Sequence, residues 1–184
     1  MNGQAMGGQT VATTVALAGA GDEVAFAQLV ATYHADMARV AFTACGDREL
    51  AEDAVQTAWL IAWRKLHSLR DPARVRPWLL KVAANEARQI VRRRHGPAVE
   101  IEVEVVEVEV AEATRGDPSN GVERLDLRRA LAHLSPDDRA LLAMHYAVDL
   151  SSDDLAAAIG TSPSTARKRL SRAVERLRRE LRDG

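Results

Sequence analysis

Apolar residues recur at three- and four-residue spacing from Asp22 to about Val91 and again from Val122 onward. Between these blocks runs PAVEIEVEVVEVEVAEATRGDPSNG, residues 97–121, which has no helical period. A chain punctuated in this way is expected to fold as two small helical units. The Val/Glu alternation of the intervening stretch would suit a half-buried strand. Its phase slips at Val105-Val106, however, so a continuous strand would turn its apolar face over at that point, and no second strand is evident to pair with it. Residues 97–121 are therefore expected to be an extended, flexible acidic linker between units at 21–96 and 122–184. Residues 1–20 are expected to be a disordered tail. Their VATTVALAGA run resembles a signal-peptide core, but no Lys or Arg occurs before Arg39.

The helices can be placed from their ends. Phe26, Leu29, Val30, Tyr33, Met37 and Val40 define the first, from Asp22 to near Gly46. Asp47 caps a second, carrying Leu50, Ala54, Ala58, Ile61 and Ala62, with Trp59 and Trp63 alongside as core residues. After the break HSLRDPAR a third begins near Val75, with Trp78, Leu79, Val82, Ala83, Ala87, Ile90 and Val91 facing inward, and closes in RRRHGP. In the second unit Leu125, Leu127, Ala130, Leu131 and Leu134 mark one helix. Ser135-Pro136 opens another that carries Leu141, Leu142, Met144 and Tyr146. Ser151 with Asp154, then Gly160, then Ser162-Pro163 spell helix, sharp turn, helix. The expected fold class is all-α: two small helical domains joined by the linker.

A net charge of -1 conceals blocks of opposite sign. Residues 61–96 hold ten bases against Asp71 and Glu86, and residues 124–184 hold twelve against nine acids. Residues 1–60 and 97–123 are acidic. Alternating blocks suggest separate faces for separate partners, with the basic ones candidates for nucleic acid. The segment TSPSTARKRLSRAVERLRRE concentrates this. As one helix it places Ala166, Leu170, Ala173, Val174, Leu177 and Leu181 on one stripe and Arg169, Arg172, Arg176 and Arg179 on another. As the second helix of a helix-turn-helix it would enter the major groove by its N-terminal part. Ser164, Thr165, Arg167, Lys168, Arg169 and Arg172 stand there, suited to bases and phosphates.

The stretch LAHLSPDDRALLAMHYAVDLSSDDLAAAIGTSPSTARKRLSRAVERLRREL resembles region 4 of bacterial sigma-70 family factors, most closely at TARKRLSRA. The first unit is similar to region 2 in GDEVAFAQLV, AEDAVQTAWLIAW and RPWLLKVAANEARQIVRRR. Two such regions joined by a linker, without a segment resembling region 1.1 or region 3, resemble the extracytoplasmic-function group. The resemblance implies a sigma factor that binds core RNA polymerase and directs initiation at -10 and -35 promoter elements. Glu52, Asp53 and Gln56 would meet the beta-prime clamp helices, and the beta flap is a further implied contact. Lys81, Asn85 and Arg88, with Arg92 and Arg93, would meet the -10 DNA, and the loop His67 to Arg74 would capture a flipped base. The helix from Pro163 would read the -35 element, the linker would thread toward the RNA exit path, and an anti-sigma factor would be the regulator.

Other classes find little support. His34, His67, His95, His133 and His145 form no metal-ligand spacing, and no phosphate loop or nucleophile motif occurs. No enzyme, cofactor or metal is therefore expected. Cys45 is the sole cysteine, and no stretch approaches the length of a membrane helix. Cytoplasmic location without membrane insertion is expected. The competing readings are a stand-alone helix-turn-helix regulator and an RNA-binding protein. The first leaves the Asp53/Gln56 face unused, and the second lacks exposed aromatic residues.

Overall fold

The structure, a computed structural model, describes residues 8–95 and 120–183, and among these it contains helices and no strand. The linker expectation for residues 97–121 lies outside the described residues. Helix α1 spans Gly8–Gly19, α2 Glu23–Cys45, α3 Arg48–Lys65 and α4 Val75–His95. The second unit follows with α5 Asn120–Ala132, α6 Pro136–Leu142, α7 Ser152–Ile159 and α8 Pro163–Asp183.

Helix starts follow the side-chain caps. Asp22 accepts from the Ala25 amide and Asp47 from the Leu50 amide, each at 2.9 Å. Ser135 and Ser151 accept from the Asp138 and Asp154 amides at 3.1 Å. Each such cap is worth about 1 kcal/mol. With only Gly46 and Asp47 between them, α2 and α3 fold back on one another, and α4 packs across both. Leu29, Met37, Val40, Ala44, Ala54, Ala58, Ala62, Leu79 and Ala83 fill the space between them. Small alanines let these helices approach closely.

Residues 8–19, expected to be a disordered tail, form α1. Val15 and Ala18 are buried, Val11 packs against the core, and Thr14 satisfies its buried hydroxyl by donating to the Thr10 carbonyl at 2.9 Å. The helix rests on α2 and on two short turns, Leu66–Ser68 and Pro72–Arg74. A Cβ on Gly19 would stand 3.3 Å from the His67 Cα, a tight approach that would press on the backbone of the turn.

The two units are packed together and share one hydrophobic cluster. α2 meets α6, and α4 meets α6 and α7. α4 also buries Leu80 and Ala84, which lay outside the expected stripe, and Ala84 lines the cleft shared with the second unit. Beyond Leu142, α6 continues into a wider turn, Ala143–Ala147, where the Val148 amide reaches the Ala143 carbonyl at 3.1 Å. That turn keeps Met144 buried while Tyr146 stands outward at 63% exposure.

Candidate nucleic-acid interface

α8 is positioned by α7 and the turn before it. Gly160 adopts a φ of +69°, which lets the chain reverse in three residues, and Ser162 Oγ accepts from the Thr165 amide at 3.3 Å. Ser162 Oγ also lies 3.0 Å from Ser164 Oγ and 2.9 Å from Thr165 Oγ1, a hydroxyl cluster at the helix N-terminus. Ala166, Leu170 and Ala173 are buried, whereas Leu181 is 43% exposed at the far end of the stripe. Ser164, Thr165, Arg167, Lys168, Arg169 and Arg172 are all exposed. The arrangement offers hydroxyls, free amides and cations on one outward surface, a combination suited to phosphates and base edges.

The opposing basic face is built on α4. Lys81, Asn85 and Arg88 recur at helical spacing and are half-buried, while Arg92 and Arg93 further along are exposed. Arg88 donates to Asn85 Oδ1 and forms an ion pair with Asp137 of α6. Arg94 lies 3.6 Å from Asp47, and Arg93 Nε donates to the Gln89 carbonyl at 3.3 Å.

These two faces were expected to act on separate DNA elements, and the structure brings them to opposite walls of one cleft of about 520 Å³. Lys81, Asn85 and Arg88 stand on one side and Arg169, Arg172 and Arg176 on the other. Between them sit Asp137 and Asp138 in the first turn of α6. Asp138 holds Arg176 at 2.8 Å while Asp137 holds Arg88. No pattern in the sequence distinguished these two acids from ordinary first-turn carboxylates.

Their neighbour Arg139 was also missed. It is 1% exposed, and its Nε, Nη1 and Nη2 have no hydrogen-bond partner. It lies near Cys45 of α2, whose thiol donates to the Ala87 carbonyl at 3.8 Å. Burial pushes the Cys45 thiol up to about 12, only partly opposed by the Arg139 charge, and burial likewise lowers the Arg139 pKa.

On the far side of the first unit, Glu52, Asp53 and Gln56 are exposed on α3, with Glu52 paired to Arg48 at 3.0 Å. Glu52 and Gln56 rim an apolar groove of about 800 Å³ between α2 and α3, lined by Phe26, Val30, Val55, Trp59 and Trp63. Trp59 and Trp63 both meet Phe26 edge-on. Trp63, expected in the core, is 39% exposed, and Leu60 beside it is 55% exposed. The three- and four-residue steps from Gln56 through Trp59 or Leu60 to Trp63 were the available signal for a surface groove.

The loop from His67 to Arg74 is held by Asp71, whose carboxylate accepts from the Ala73 amide at 3.0 Å, and by α1 packed on its two turns. Among the described residues no group of His, Cys, Asp and Glu is placed to hold a metal ion, and no helix is long and apolar enough to cross a membrane.

Residues 29–96 match the sequence profile of Sigma-70 region 2, and residues 124–177 match that of Sigma-70, region 4. The chain is 33% identical over 171 residues to the "Probable RNA polymerase sigma factor RfaY" of Xanthomonas campestris, covering 89% of this chain and 42% of that one. It is 33% identical to the "ECF RNA polymerase sigma factor SigL" of Mycobacterium tuberculosis over 79% of this chain and 82% of that one. Among solved structures it is similar to the sigma factor RpoE in complex with the anti-sigma factor NepR from Bartonella quintana. The TM-score is 0.65 at 27% identity, over 85% of this chain and 96% of that one.

Proposed function

Because the chain belongs to the sigma-70 family of RNA polymerase sigma factors, in its extracytoplasmic-function group, we propose that it binds core RNA polymerase through α3 and directs it to promoters through α4 and α8. Residues 21–96 form the unit for polymerase and the -10 element, and residues 122–184 the unit for the -35 element. The observation that carries this reading is the capped α7, the sharp turn at Gly160 and the outward cationic N-terminal half of α8, on the same chain as the exposed Asp53 and Gln56. A helix so presented reads duplex DNA by side chains and by its free amides together.

The acidic and polar face of Glu52, Asp53 and Gln56 is complementary to a basic coiled coil such as the clamp helices of the beta-prime subunit, while the second unit approaches the beta flap. Lys81, Asn85, Arg88, Arg92 and Arg93 line a track for the -10 strand, and the loop from His67 to Arg74 receives an unstacked base. The protein supplies no catalysis of its own and works in the cytoplasm without cofactor. The similarity to RpoE, solved with an anti-sigma factor, supports an anti-sigma partner for this chain as well.

The test is run-off transcription by sigma-free core polymerase on genomic promoter fragments, with and without the protein. Discrete start sites only when both are present support the reading. Specific duplex binding without any polymerase dependence would replace it with a stand-alone regulator.

A further inference from the structure

We propose that the cleft between α4 and α8 is a binding site for a nucleoside triphosphate, with the phosphates on Lys81, Arg169 and Arg172 and the base on the apolar floor beneath them. The binding stands on the cleft alone. Its consequence, competition with promoter DNA, rests on the assignment of these same cations to the -10 and -35 elements.

The cleft has the size and make-up of a small-ligand site. Its volume of about 520 Å³ falls within the usual range for such pockets. Helices of both units supply the walls, so the cations converge on an enclosed space instead of lying along one flat face.

Charge selects the ligand. Asp137 and Asp138 on the first turn of α6 are already engaged, by Arg88 and Arg176. Lys81, Arg169 and Arg172 line the same cleft, and none of the three has an ion-pair partner among the described residues. Lys81 also reaches toward the second unit. Its Nζ lies 3.6 Å from the position that a Cβ on Gly160 would take, so a charge from α4 stands beside the turn into α8. Several unanswered positive charges around one enclosed volume suit a ligand with several negative ones. A run of phosphates supplies them, with oxygens that arginine can hold in pairs. Enclosure strengthens each contact over the same pair at an open surface.

The floor selects what the phosphates are attached to. Ala84 of α4, Leu141 and Met144 of α6 and its continuation, and Ala158 and Ile159 of α7 line it. Such a surface gives nothing to an inorganic anion but suits the flat face of a base, with the Met144 thioether available to the ring. Asn85 beside it turns its carbonyl oxygen to Arg88, which leaves its amide NH2 to donate to an acceptor on the base edge.

Isothermal titration calorimetry of the full-length chain at physiological salt reads the site without polymerase or DNA. ATP should bind with simple saturation, inorganic tripolyphosphate about tenfold more weakly, and adenosine not measurably. Lys81→Ala with Arg172→Ala should weaken ATP binding by about tenfold or more. Arg178→Ala with Arg179→Ala removes the same charge from exposed positions outside the cleft and should leave ATP binding unchanged. Ile159→Ala should weaken ATP about threefold and leave tripolyphosphate unchanged. Circular dichroism verifies that each variant keeps its helices. Equal weakening by the two paired variants would show diffuse attraction to a basic surface and overturn the site. Tripolyphosphate binding as tightly as ATP would overturn the seat for the base.

Fluorescence anisotropy with a -35 duplex then tests the competition. Saturating ATP should weaken duplex binding about threefold or more. Duplex affinity indifferent to bound ATP would overturn the competition. A chain that binds ATP in the cleft but no duplex, with or without polymerase, would remove the promoter-reading assignment and keep the site. A chain that binds duplex but no ATP would overturn the site alone.

Discussion

Arg76 at the start of α4 donates to the backbone carbonyl of Val148, 72 positions along the chain, while its Nε and Nη2 hold Asp36 Oδ2 of α2 at 3.0 and 2.8 Å. One side chain therefore fastens the first unit internally and ties it to the turn that follows α6. Asp36 keeps a second, longer pair with Arg39 at 3.4 Å, so removing Arg76 leaves it incompletely satisfied rather than orphaned. Arg76→Ala is expected to lower the unfolding free energy by about 1–2 kcal/mol, the usual range for charge-assisted bonds at a partly exposed site. Urea denaturation checks this, and a midpoint unchanged from the parent chain would contradict it.

The contact of α1 with the turn at His67 makes a second prediction. A Cβ at Gly19 stands 3.3 Å from the His67 Cα and 3.4 Å from its amide nitrogen, both backbone atoms that cannot swing aside. Gly19→Val should displace the loop from His67 to Arg74 and cost about 1–3 kcal/mol of stability through overpacking. Because the groups proposed to meet polymerase lie on α3, away from this contact, core binding should persist while strand opening at the -10 element weakens. Permanganate probing of melted thymines beside a polymerase-binding assay separates the two.

The sequence made the helix ends legible because capping is local. Asp22, Asp47, Ser135 and Ser151 each act within three residues, and all four caps are present. The expected stripe of α8 was equally legible, since Ala166, Leu170 and Ala173 need only their own period to reveal an inner face. What escaped depends on tertiary partners. α1 has an apolar stripe too short to announce itself, and it is stabilised by the close approach that Gly19 permits. Leu80 and Ala84 widen the buried face of α4 beyond the expected stripe, on a helix that packs against α6 and α7 as well as α2 and α3. Arg139 follows two acids in a first turn, a context that reads as solvated until α2 is seen lying over it. The helix was expected to carry Leu141, Leu142, Met144 and Tyr146 as one regular run, and the wider turn at Ala143–Ala147 interrupts it.

The cations of α8 predict a salt-dependent phenotype. Arg169 and Arg172 are exposed, so replacing both by Ala should leave the fold intact. Affinity for a duplex carrying the -35 element should fall by about 2 kcal/mol or more, and the slope of log K against log salt should become shallower by about 2. Filter binding across a salt series provides the measurement. An unchanged slope would mean that these side chains do not meet phosphates.

The reciprocal variant tests the other face. Asp53→Ala with Gln56→Ala alters two exposed side chains on α3, so thermal unfolding should be unaffected. Association with core polymerase should weaken about tenfold, consistent with loss of one or two polar contacts at an interface. Retained binding to the -35 duplex would confine the effect to the polymerase contact, and loss of both activities would point to misfolding instead.

Cys45 makes stability depend on alkaline pH in a direction that can be worked out. Its thiol is held at about 12 in the folded chain, above its usual 9.0, because burial disfavours the thiolate. Below pH 9 the thiol is protonated in both the folded and the unfolded chain, and the group does not affect the balance between them. Between pH 9 and 12 the unfolded chain loses the proton while the folded chain keeps it, so the unfolded state gains and stability falls as pH rises. Cys45→Ala removes this group from the titration and should flatten that part of the decline. Denaturant midpoints measured from pH 8 to 10.5 for both chains provide the comparison. Parallel curves would show that the thiol ionises as readily when folded as when unfolded, and so that the seam between α2, α4 and α6 is open to water.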